Sequence, residues 1–286
     1  MKQYIAIDIG GTNIKYGVVS QNGEVLSNLE KETSAFAKGE ELLKFLADIV
    51  ALLRNDETAG IGVATLGAVD EESGCVIGMC DNYPVIKGLP LAGYLKEKTG
   101  LPVSVMNDVN TTALGEAGFG AGRGLSTFFC MTLGTGIGGA YVHNGEVISG
   151  IHGIAGEIGY LWSGQGERYE NLASAKRFSE ECRRLGNHEE KALLPALNGD
   201  PVYAELLERW IRDVALGIAD VIYILDPGTF IIGGAVSETG KPFTDRIEKS
   251  LEEILYPDFR GKTRILPAEN GNVSNMLGAI YPFIKQ

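Results

Sequence analysis

A turn rich in glycine and threonine occurs twice in this chain, each time between two apolar, strand-like runs. The first turn is Gly10-Gly11-Thr12 and the second is Gly134-Thr135-Gly136. Glycine lets bare backbone N–H groups approach an anion, and threonine adds a hydroxyl donor. Two strand–turn–strand units of this kind predict a fold of two lobes, each of which contributes a phosphate clamp.

Asp8 ends the strand-like run before the first turn, where its carboxylate can hold a hydrated Mg²⁺. A third glycine pair, Gly233-Gly234, follows a predicted strand over residues 229–232 and suits the close approach of an adenine or a ribose. None of these turns has P-loop or Gly-x-Gly-x-x-Gly spacing, so a nucleotide is expected between the lobes. Taken alone, the first turn is equally typical of an ordinary β-hairpin. The predicted nucleotide-binding residues are Asp8, Gly10, Gly11, Thr12, Lys15, Gly134, Thr135, Gly136, Gly233 and Gly234.

The order of the remaining elements is that of duplicated α/β lobes. A turn-rich stretch runs through Asn82-Tyr83-Pro84, and Gly100 is placed to end a helix. Apolar spacing predicts helices over residues 38–54, 91–99, 201–225 and 242–255. Strand-like runs cover residues 4–8, 15–20, 24–30, 59–64, 102–106 and 126–133.

The dipeptide Asn107-Asp108 follows a short apolar strand and precedes a predicted helix. A carboxylate in this place can accept the proton of a sugar hydroxyl, while the neighbouring amide fixes a second hydroxyl. Phosphoryl transfer needs little more from a protein than such positioning and charge stabilisation. The alternative is that Asp108 is the N-cap of the helix, which is the commoner role for such a residue, and one residue can fill both roles.

Two glutamates downstream are candidates for carbohydrate binding. Glu157 lies in a stretch dense in glycine, and Glu170 opens a helical pattern. Because a carboxylate accepts paired hydrogen bonds from neighbouring hydroxyls, these glutamates together with Asn107 and Asp108 form a candidate sugar site. The alternative for each glutamate is a solvated surface charge, the usual state of this residue type.

Composition restricts the classes of partner and the compartment. The 286 residues, 44% of them hydrophobic, can bury one or two cores, and a formal charge of −12 disfavours nucleic acid as a partner. No apolar run approaches the ~18 residues of a membrane span, so no membrane association is expected. The first residues enter a strand without a basic and apolar leader, which predicts a cytoplasmic protein. The four cysteines show no paired metal spacing, as expected in a reducing compartment.

Taken together and in this order, the motifs resemble the ROK (repressor, open reading frame, kinase) family of sugar kinases within the actin-like ATPase superfamily. The resemblance covers essentially the whole chain. It implies two ribonuclease-H-like lobes around a cleft, with residues 1–106 and 273–286 in the first lobe and residues 107–272 in the second. The motifs that carry it are Asp8-Ile-Gly-Gly-Thr12, Asn107-Asp108, Gly134-Thr-Gly-Ile-Gly-Gly139, Gly153-Ile-Ala-Gly-Glu-Ile-Gly159 and Ile231-Ile-Gly-Gly-Ala235.

The resemblance also implies cofactors, partners and residue roles. ATP and Mg²⁺ are the expected cofactors, the expected ligands are a sugar and MgATP, and a homodimer is an assembly that family members often adopt. Asp108 is expected to accept the proton of the attacking sugar hydroxyl, and a helix near residues 275–284 is expected to return to the first lobe. The residues expected to bind the sugar are Asn82, Asn107, Asp108, Glu157, Tyr160 and Glu170.

One departure from the family pattern concerns zinc. The family usually has a histidine after Gly-Glu-Ile-Gly and then a Cys-x-Cys-Gly-x-x-Gly-Cys loop, which together bind Zn²⁺. Here Tyr160 replaces the histidine, residues 161–169 contain no cysteine, and the three histidines of the chain are scattered, so no zinc is expected. Two alternatives remain for Tyr160, Trp162 and Tyr169. They either line a wider pocket mouth on which a second sugar can lie or replace the zinc as apolar packing.

The function implied is an ATP-dependent kinase acting on the C6 hydroxyl of a hexose or of the glucosyl unit of a β-glucoside such as cellobiose. An N-acetylmannosamine kinase or a fructokinase is the alternative within the family. A sugar-responsive transcriptional regulator is the alternative from another class. Those members carry a basic helix-turn-helix domain ahead of the first turn, whereas only seven residues precede Asp8. A structural actin-like ATPase would not need Asn107, Asp108 or Glu157.

Overall fold

The computed structural model describes residues 1–164, 166–186, 193 and 199–285 of the chain. Packing divides the chain into two compact units, and each contains both helices and strands, which confirms the predicted α/β class. The first unit comprises Met1–Arg123, Ser149–Ala155 and Asn272–Gln286. The second comprises Gly124–Ile148 and Gly156–Gly271.

A mixed five-stranded sheet forms the centre of the first unit. The strands of this unit are β1 (Gln3–Ile9), β2 (Asn13–Ser20), β3 (Val25–Glu32), β4 (Thr58–Thr65), β5 (Ala68–Asp70), β6 (Cys75–Gly78) and β7 (Val103–Asn107). The sheet has the order β3-β2-β1-β4-β7, with β1, β4 and β7 parallel, while β5 and β6 pair separately. Because parallel strands end at the same edge, the register brings Asp8 beside Ala64 and Asn107 beside Thr65. The two candidate carboxylates of this unit, Asp8 and Asp108, therefore lie at one edge of one sheet.

Helices cover both faces of this sheet. They are α1 (Gly39–Leu53), α2 (Leu91–Thr99), α3 (Asp108–Phe119) and a late helix, α8 (Ser274–Ile284). Side chains alternate along a strand, so Ile5 and Ile7 of β1 join the core that contains α1, whereas Tyr4 and Ala6 join the core that contains α8. By the same alternation, Asp8 faces the α8 side. Helix α8 thus returns to the first unit, as the family resemblance implied.

Helices α3 and α8 touch through their backbones. A Cβ placed on Gly278 would lie 1.7 Å from the carbonyl oxygen of Thr111, and one on Gly115 would lie 2.3 Å from that of Ser274. Any side chain at either position would push the helices apart. This contact explains why α3 belongs to the first unit, although the predicted lobe boundary between residues 106 and 107 precedes it.

The second unit has a five-stranded sheet of its own. Its strands are β8 (Phe128–Leu133), β9 (Ile137–His143), β10 (Glu146–Val147), β11 (Thr229–Gly234) and β12 (Arg264–Pro267), in the order β10-β9-β8-β11-β12. Its described helices are α4 (Tyr169–Ala173), α5 (Ala175–Arg184), α6 (Pro201–Leu225) and α7 (Lys241–Ile254). The long helix α6 places Trp210, Val214 and Ile218 in the core of this unit.

Helices α1, α2, α6 and α7 lie within one residue of their predicted limits, and Gly100 has the left-handed conformation of a helix end. The structure adds the β5–β6 hairpin to a stretch that the sequence indicated as turns, and it adds β12. These strands have three or four residues each, too few for an alternating pattern to show. None of the helices in the described part of the chain combines the length and the apolar character that crossing a bilayer requires.

Candidate active site

The first glycine–threonine turn joins β1 to β2 and is closed by hydrogen bonds. The N–H of Gly10 donates to the carbonyl oxygen of Asn13 (3.0 Å), and a Cβ at Gly10 would lie 2.9 Å from that oxygen. The hydroxyl of Thr33 donates to the carbonyl oxygen of Gly10 (3.0 Å), and the N–H of Thr33 donates to that of Thr12 (2.8 Å). Thr33 is therefore a buried support of the turn that no sequence motif marks.

Asp8 lies at the end of β1, on the side of the sheet that α8 covers. Its Oδ1 accepts a hydrogen bond from the Nδ2 of Asn275 in the first turn of α8 (3.1 Å), and Lys15 is its partner on β2. Burial raises the pKa of the Asp8 carboxyl, while the Asn275 hydrogen bond and the charge of Lys15 act in the opposite direction. A cation beside this carboxylate would favour its ionised form.

A carboxylate beside a glycine–threonine turn suits Mg²⁺ that is carried mainly by a nucleotide. Mg²⁺ prefers oxygen ligands, keeps several waters and uses one or two carboxylates together with substrate phosphates. Among the described residues, no three His, Cys, Asp or Glu side chains form a group that could hold a metal ion on their own. The residues of the first turn therefore fit the expected MgATP.

Asn107 and Asp108 stand at the junction of β7 and α3. The N-cap of α3 is Asn107, whose Oδ1 accepts hydrogen bonds from the N–H groups of Val109 (2.9 Å) and Asn110 (3.2 Å). This corrects the alternative in which Asp108 is the cap. The Nδ2 of Asn107 donates to the carbonyl oxygen of Gly67 (3.0 Å) and to the Oδ1 of Asp108 (3.0 Å). Asn107 thus orients the carboxylate of Asp108.

Asn82 lies in the loop after β6, beside the first turn. Its Cβ is 3.7 Å from the position that a Cβ would take on Gly11. The Asn82 side chain is exposed, whereas the next residue, Tyr83, is buried and donates its hydroxyl hydrogen to the carbonyl oxygen of Phe36 (3.2 Å). The first unit therefore brings Asn82 next to the glycine–threonine turn, and Tyr83 anchors the loop.

The second glycine–threonine turn joins β8 to β9. The N–H of Gly134 donates to the carbonyl oxygen of Gly136 (3.0 Å), which closes the turn around Thr135. The pair Gly233-Gly234 ends β11, the neighbour of β8, and Gly234 has a φ of +84°. A Cβ on Gly234 would lie 2.6 Å from the carbonyl oxygen of Leu133. The two glycine motifs of the second unit therefore lie side by side at the end of β8.

Glu157 and Glu170 are half-buried carboxylates of the second unit. The Oε2 of Glu170 lies 2.6 Å from the position of a Cβ on Gly136 and 3.2 Å from that of a Cβ on Gly159, so glycine at both positions makes room for it. Burial raises the pKa of Glu157, and the negative charge of Glu170 adds to the shift. Glu170 thus lies against the second glycine–threonine turn, and Glu157 lies close enough to Glu170 to be affected by its charge.

We expect the Glu157→Gln variant to be more stable than the parent at neutral pH. Because folding raises the pKa of Glu157, the native state disfavours its ionised form, and the free energy of unfolding falls as the pH rises through that pKa. The amide removes both the buried charge and the repulsion from Glu170. Thermal unfolding should show a Tm higher by about 1–4 °C at neutral pH. The gain should shrink on acidification, and a gain that grows at acid pH would contradict this account.

Tyr169 is a core residue of the second unit. Its hydroxyl donates to the carbonyl oxygen of Val214 in α6 (2.8 Å). Its ring lies against Gly217, where a Cβ would be 2.2 Å from the nearest ring atom. Of the two alternatives for the aromatic residues, apolar packing is therefore the one that applies to Tyr169.

Tyr160 and Trp162 lie at the protein surface, in the segment that precedes α4. The exposed fraction is 41% for Tyr160 and 72% for Trp162. The guanidinium carbon of Arg168 lies 4.3 Å from the centre of the Tyr160 ring, a cation–π contact, and an isolated antiparallel bridge joins Trp162 to Arg168. The loop is thus closed by Arg168, with Trp162 pointing its apolar surface to solvent.

Comparisons with known proteins agree with this architecture. A model of the ROK family matches residues 4–286. The chain is 30% identical over 302 residues to a glucokinase of Thermotoga maritima, covering 96% of this chain and 95% of that protein. It is 30% identical over 308 residues to a β-glucoside kinase of Listeria monocytogenes, covering 98% and 97%. The crystal structure of a ROK family glucokinase from Streptomyces griseus in complex with glucose and AMPPNP matches with a TM-score of 0.80 at 29% identity, covering 97% of each chain. This likeness confirms the predicted fold of two actin-like lobes.

Proposed function

The chain belongs to the ROK family and is a carbohydrate kinase, and we propose that it transfers the γ-phosphoryl group of ATP to the C6 hydroxyl of a hexose or of the glucosyl unit of a β-glucoside such as cellobiose. One observation carries the proposal. The carboxylate of Asp108 is held by Asn107 at the same sheet edge as Asp8 and its glycine–threonine turn. A base and a phosphate-binding turn at one edge are what phosphoryl transfer to a hydroxyl requires.

The two glycine–threonine turns and the Gly233-Gly234 pair are the proposed nucleotide contacts. Their backbone N–H groups and threonine hydroxyls are donors that suit phosphate oxygens. Asp8 would hold Mg²⁺, which when bound neutralises charge on the phosphates. No resident zinc is part of the proposal. The residues assigned to MgATP are Asp8, Gly10, Gly11, Thr12, Lys15, Gly134, Thr135, Gly136, Gly233 and Gly234.

The proposed sugar contacts are polar side chains. Hydroxyl groups donate readily to carboxylates, so a sugar would relieve the unfavourable interaction between Glu157 and Glu170. Asn107 already donates both of its amide hydrogens to protein oxygens, which supports a role in holding Asp108. Direct contact of Asn107 with the sugar stays a prediction. The full proposed set is Asn82, Asn107, Asp108, Glu157, Tyr160 and Glu170.

In the proposed reaction the C6 oxygen of the sugar attacks the γ-phosphorus while Asp108 accepts its proton. The bond from the γ-phosphorus to the bridging oxygen breaks, and ADP leaves with that oxygen. Asp108 stands at the first position of α3. The hydrogen bonds from Asn107 and from the N–H of Val109 (3.0 Å each) fix one carboxylate oxygen.

A coupled assay of ADP release tests this proposal directly. The purified protein is incubated with MgATP and, in turn, with glucose, cellobiose, N-acetylmannosamine and fructose. We expect turnover with glucose or cellobiose after treatment with EDTA and addition of Mg²⁺ alone. A preference for N-acetylmannosamine or fructose would replace the proposed acceptor by the alternative within the family. Absence of ADP release with every sugar would contradict the kinase function.

If the exposed rings of the loop contact the second sugar of a β-glucoside, then shortening them should affect a disaccharide more than a monosaccharide. We expect Trp162→Ala and Tyr160→Ala to lower kcat/KM for cellobiose by roughly 2–10-fold, the ratio that corresponds to one lost ring contact. The kcat/KM for glucose should stay within about 2-fold of the parent value. Tyr256→Ala removes another exposed ring of the same unit and is the control. Equal losses for both sugars would leave the two rings without a role in substrate choice.

A further inference from the structure

One amide side chain joins the carboxylate of Asp8 to the helix that begins at Asp108. The Nδ2 of Asn275 donates to the Oδ1 of Asp8 (3.1 Å), and the Oδ1 of Asn275 accepts from the hydroxyl of Thr112 (2.6 Å). The Oγ1 of Thr112 also lies 3.0 Å from the carbonyl oxygen of Asp108. The carboxylate of Asp8 is therefore joined through Asn275 to Thr112, a residue of the helix that begins at Asp108.

The orientation of the Asn275 amide follows from its two neighbours. An ionised carboxylate can only accept hydrogen bonds, so the NH₂ group must face Asp8. The oxygen then faces Thr112, whose hydroxyl is a donor. Thr112 is buried, and the 2.6 Å contact keeps its hydrogen directed at the amide. Thr112 thus fixes the amide of Asn275, and that amide fixes the carboxylate of Asp8.

The helix that carries Asn275 is itself held against α3. The hydroxyl of Ser274 donates to the Oε1 of Glu116, which is completely buried. One turn further along, the backbone of Gly278 meets the carbonyl oxygen of Thr111. Asn275 therefore has little freedom to move away from Asp8. Replacement of its side chain is expected to change the orientation of the Asp8 carboxylate.

We propose that Asn275 is a positioning residue that orients the carboxylate of Asp8 for MgATP and links it, through Thr112, to the helix that bears Asp108. This inference rests on the proposed function. Asn275 touches neither the sugar nor the phosphates in this role, and it acts through Asp8. Its loss should therefore weaken the part of nucleotide binding that depends on Mg²⁺ and should spare the part that does not.

Calorimetric titration of AMPPNP, with Mg²⁺ and with EDTA, separates these two parts without relying on turnover. We expect Asn275→Ala to lower the affinity for Mg-AMPPNP by about 5–10-fold, the size of effect that one typical hydrogen bond gives. The affinity in EDTA should fall by less than about 2-fold. Asn272→Ala, which removes an exposed asparagine just before α8, should bind like the parent in both media.

Two variants of Thr112 give a second, independent measurement. Thr112→Val keeps the shape of the side chain and removes its hydroxyl, so it should show part of the Mg²⁺-specific loss of nucleotide affinity. Thr112→Ser keeps the hydroxyl and should bind the nucleotide like the parent. Equal losses of Asn275→Ala in Mg²⁺ and in EDTA, or parental binding by a folded Asn275→Ala protein, would overturn the positioning role. A parent protein that binds no nucleotide in either medium would instead contradict the proposed function.

Discussion

Replacement of Asp108 by asparagine is expected to lower kcat by about 10²-fold or more, because an amide cannot accept the proton of the attacking hydroxyl. The side-chain oxygen of asparagine can still accept hydrogen bonds from Asn107 and from the N–H of Val109, so the start of α3 should be preserved. The Tm and the affinity for MgATP should therefore stay close to the parental values. Steady-state kinetics, thermal unfolding and nucleotide titration on one preparation measure all three.

The matched control is Asp48→Asn, which neutralises an exposed carboxylate on α1 in the same unit. It should leave kcat within about 2-fold of the parent. An Asp108→Asn protein that is folded and nearly as active as the parent would remove Asp108 from the role of base. A large loss of Tm would indicate that the residue acts mainly through the junction of β7 and α3.

The second large effect is expected at Asp8. Asp8→Asn should lower kcat/KM for MgATP by roughly 10²-fold, because the variant loses the one carboxylate that the first turn offers to Mg²⁺. Its stability should not fall at neutral pH. Burial raises the pKa of Asp8, so the ionised form is disfavoured in the native state above that pKa, and the neutral amide avoids this cost. Loss of function without loss of Tm is the expected signature.

Titration with sugar alone and then with MgATP separates the two ligands in the Asp8→Asn protein. The affinity for the sugar should stay within about 2-fold of the parent, since Asp8 is assigned only to the nucleotide. Asp56→Asn, an exposed carboxylate of the same unit, is the control. Unchanged nucleotide affinity together with unchanged turnover would contradict the assignment of Asp8 to Mg²⁺.

The elements that the sequence predicts well are those whose signals are local. Gly100 ends α2 because glycine adopts the left-handed conformation without strain, and this can be read from one residue. The apolar spacing of α1 and α6 is likewise contained in each helix. The two glycine–threonine turns belong to the same class, since Gly10 is required by the closing of its own turn.

The features that the sequence does not indicate depend on contacts between distant residues. Thr33 supports the first turn from a position just after β3, and nothing in its neighbours marks that role. Asn275 meets Asp8 across a separation of 267 residues. The N-cap of α3 could not be assigned from the sequence for another reason. Asn107 and Asp108 are both residue types that cap helices well, and only the backbone angles decide between them.

The return of α8 to the first unit also determines when during synthesis this unit can be completed. Tyr4 and Ala6 of β1 are made early, but Met276 and Ile280, which cover them, are among the last described residues. At ribosomal rates of roughly 5–20 residues per second, the 267 residues that follow Asp8 up to and including Asn275 take on the order of 10–50 s to make. During that interval one face of the first sheet lacks its helix and offers an apolar surface to chaperones. The Asn275 amide can therefore reach the Asp8 carboxylate of a nascent chain only after residues 274–284 have been translated.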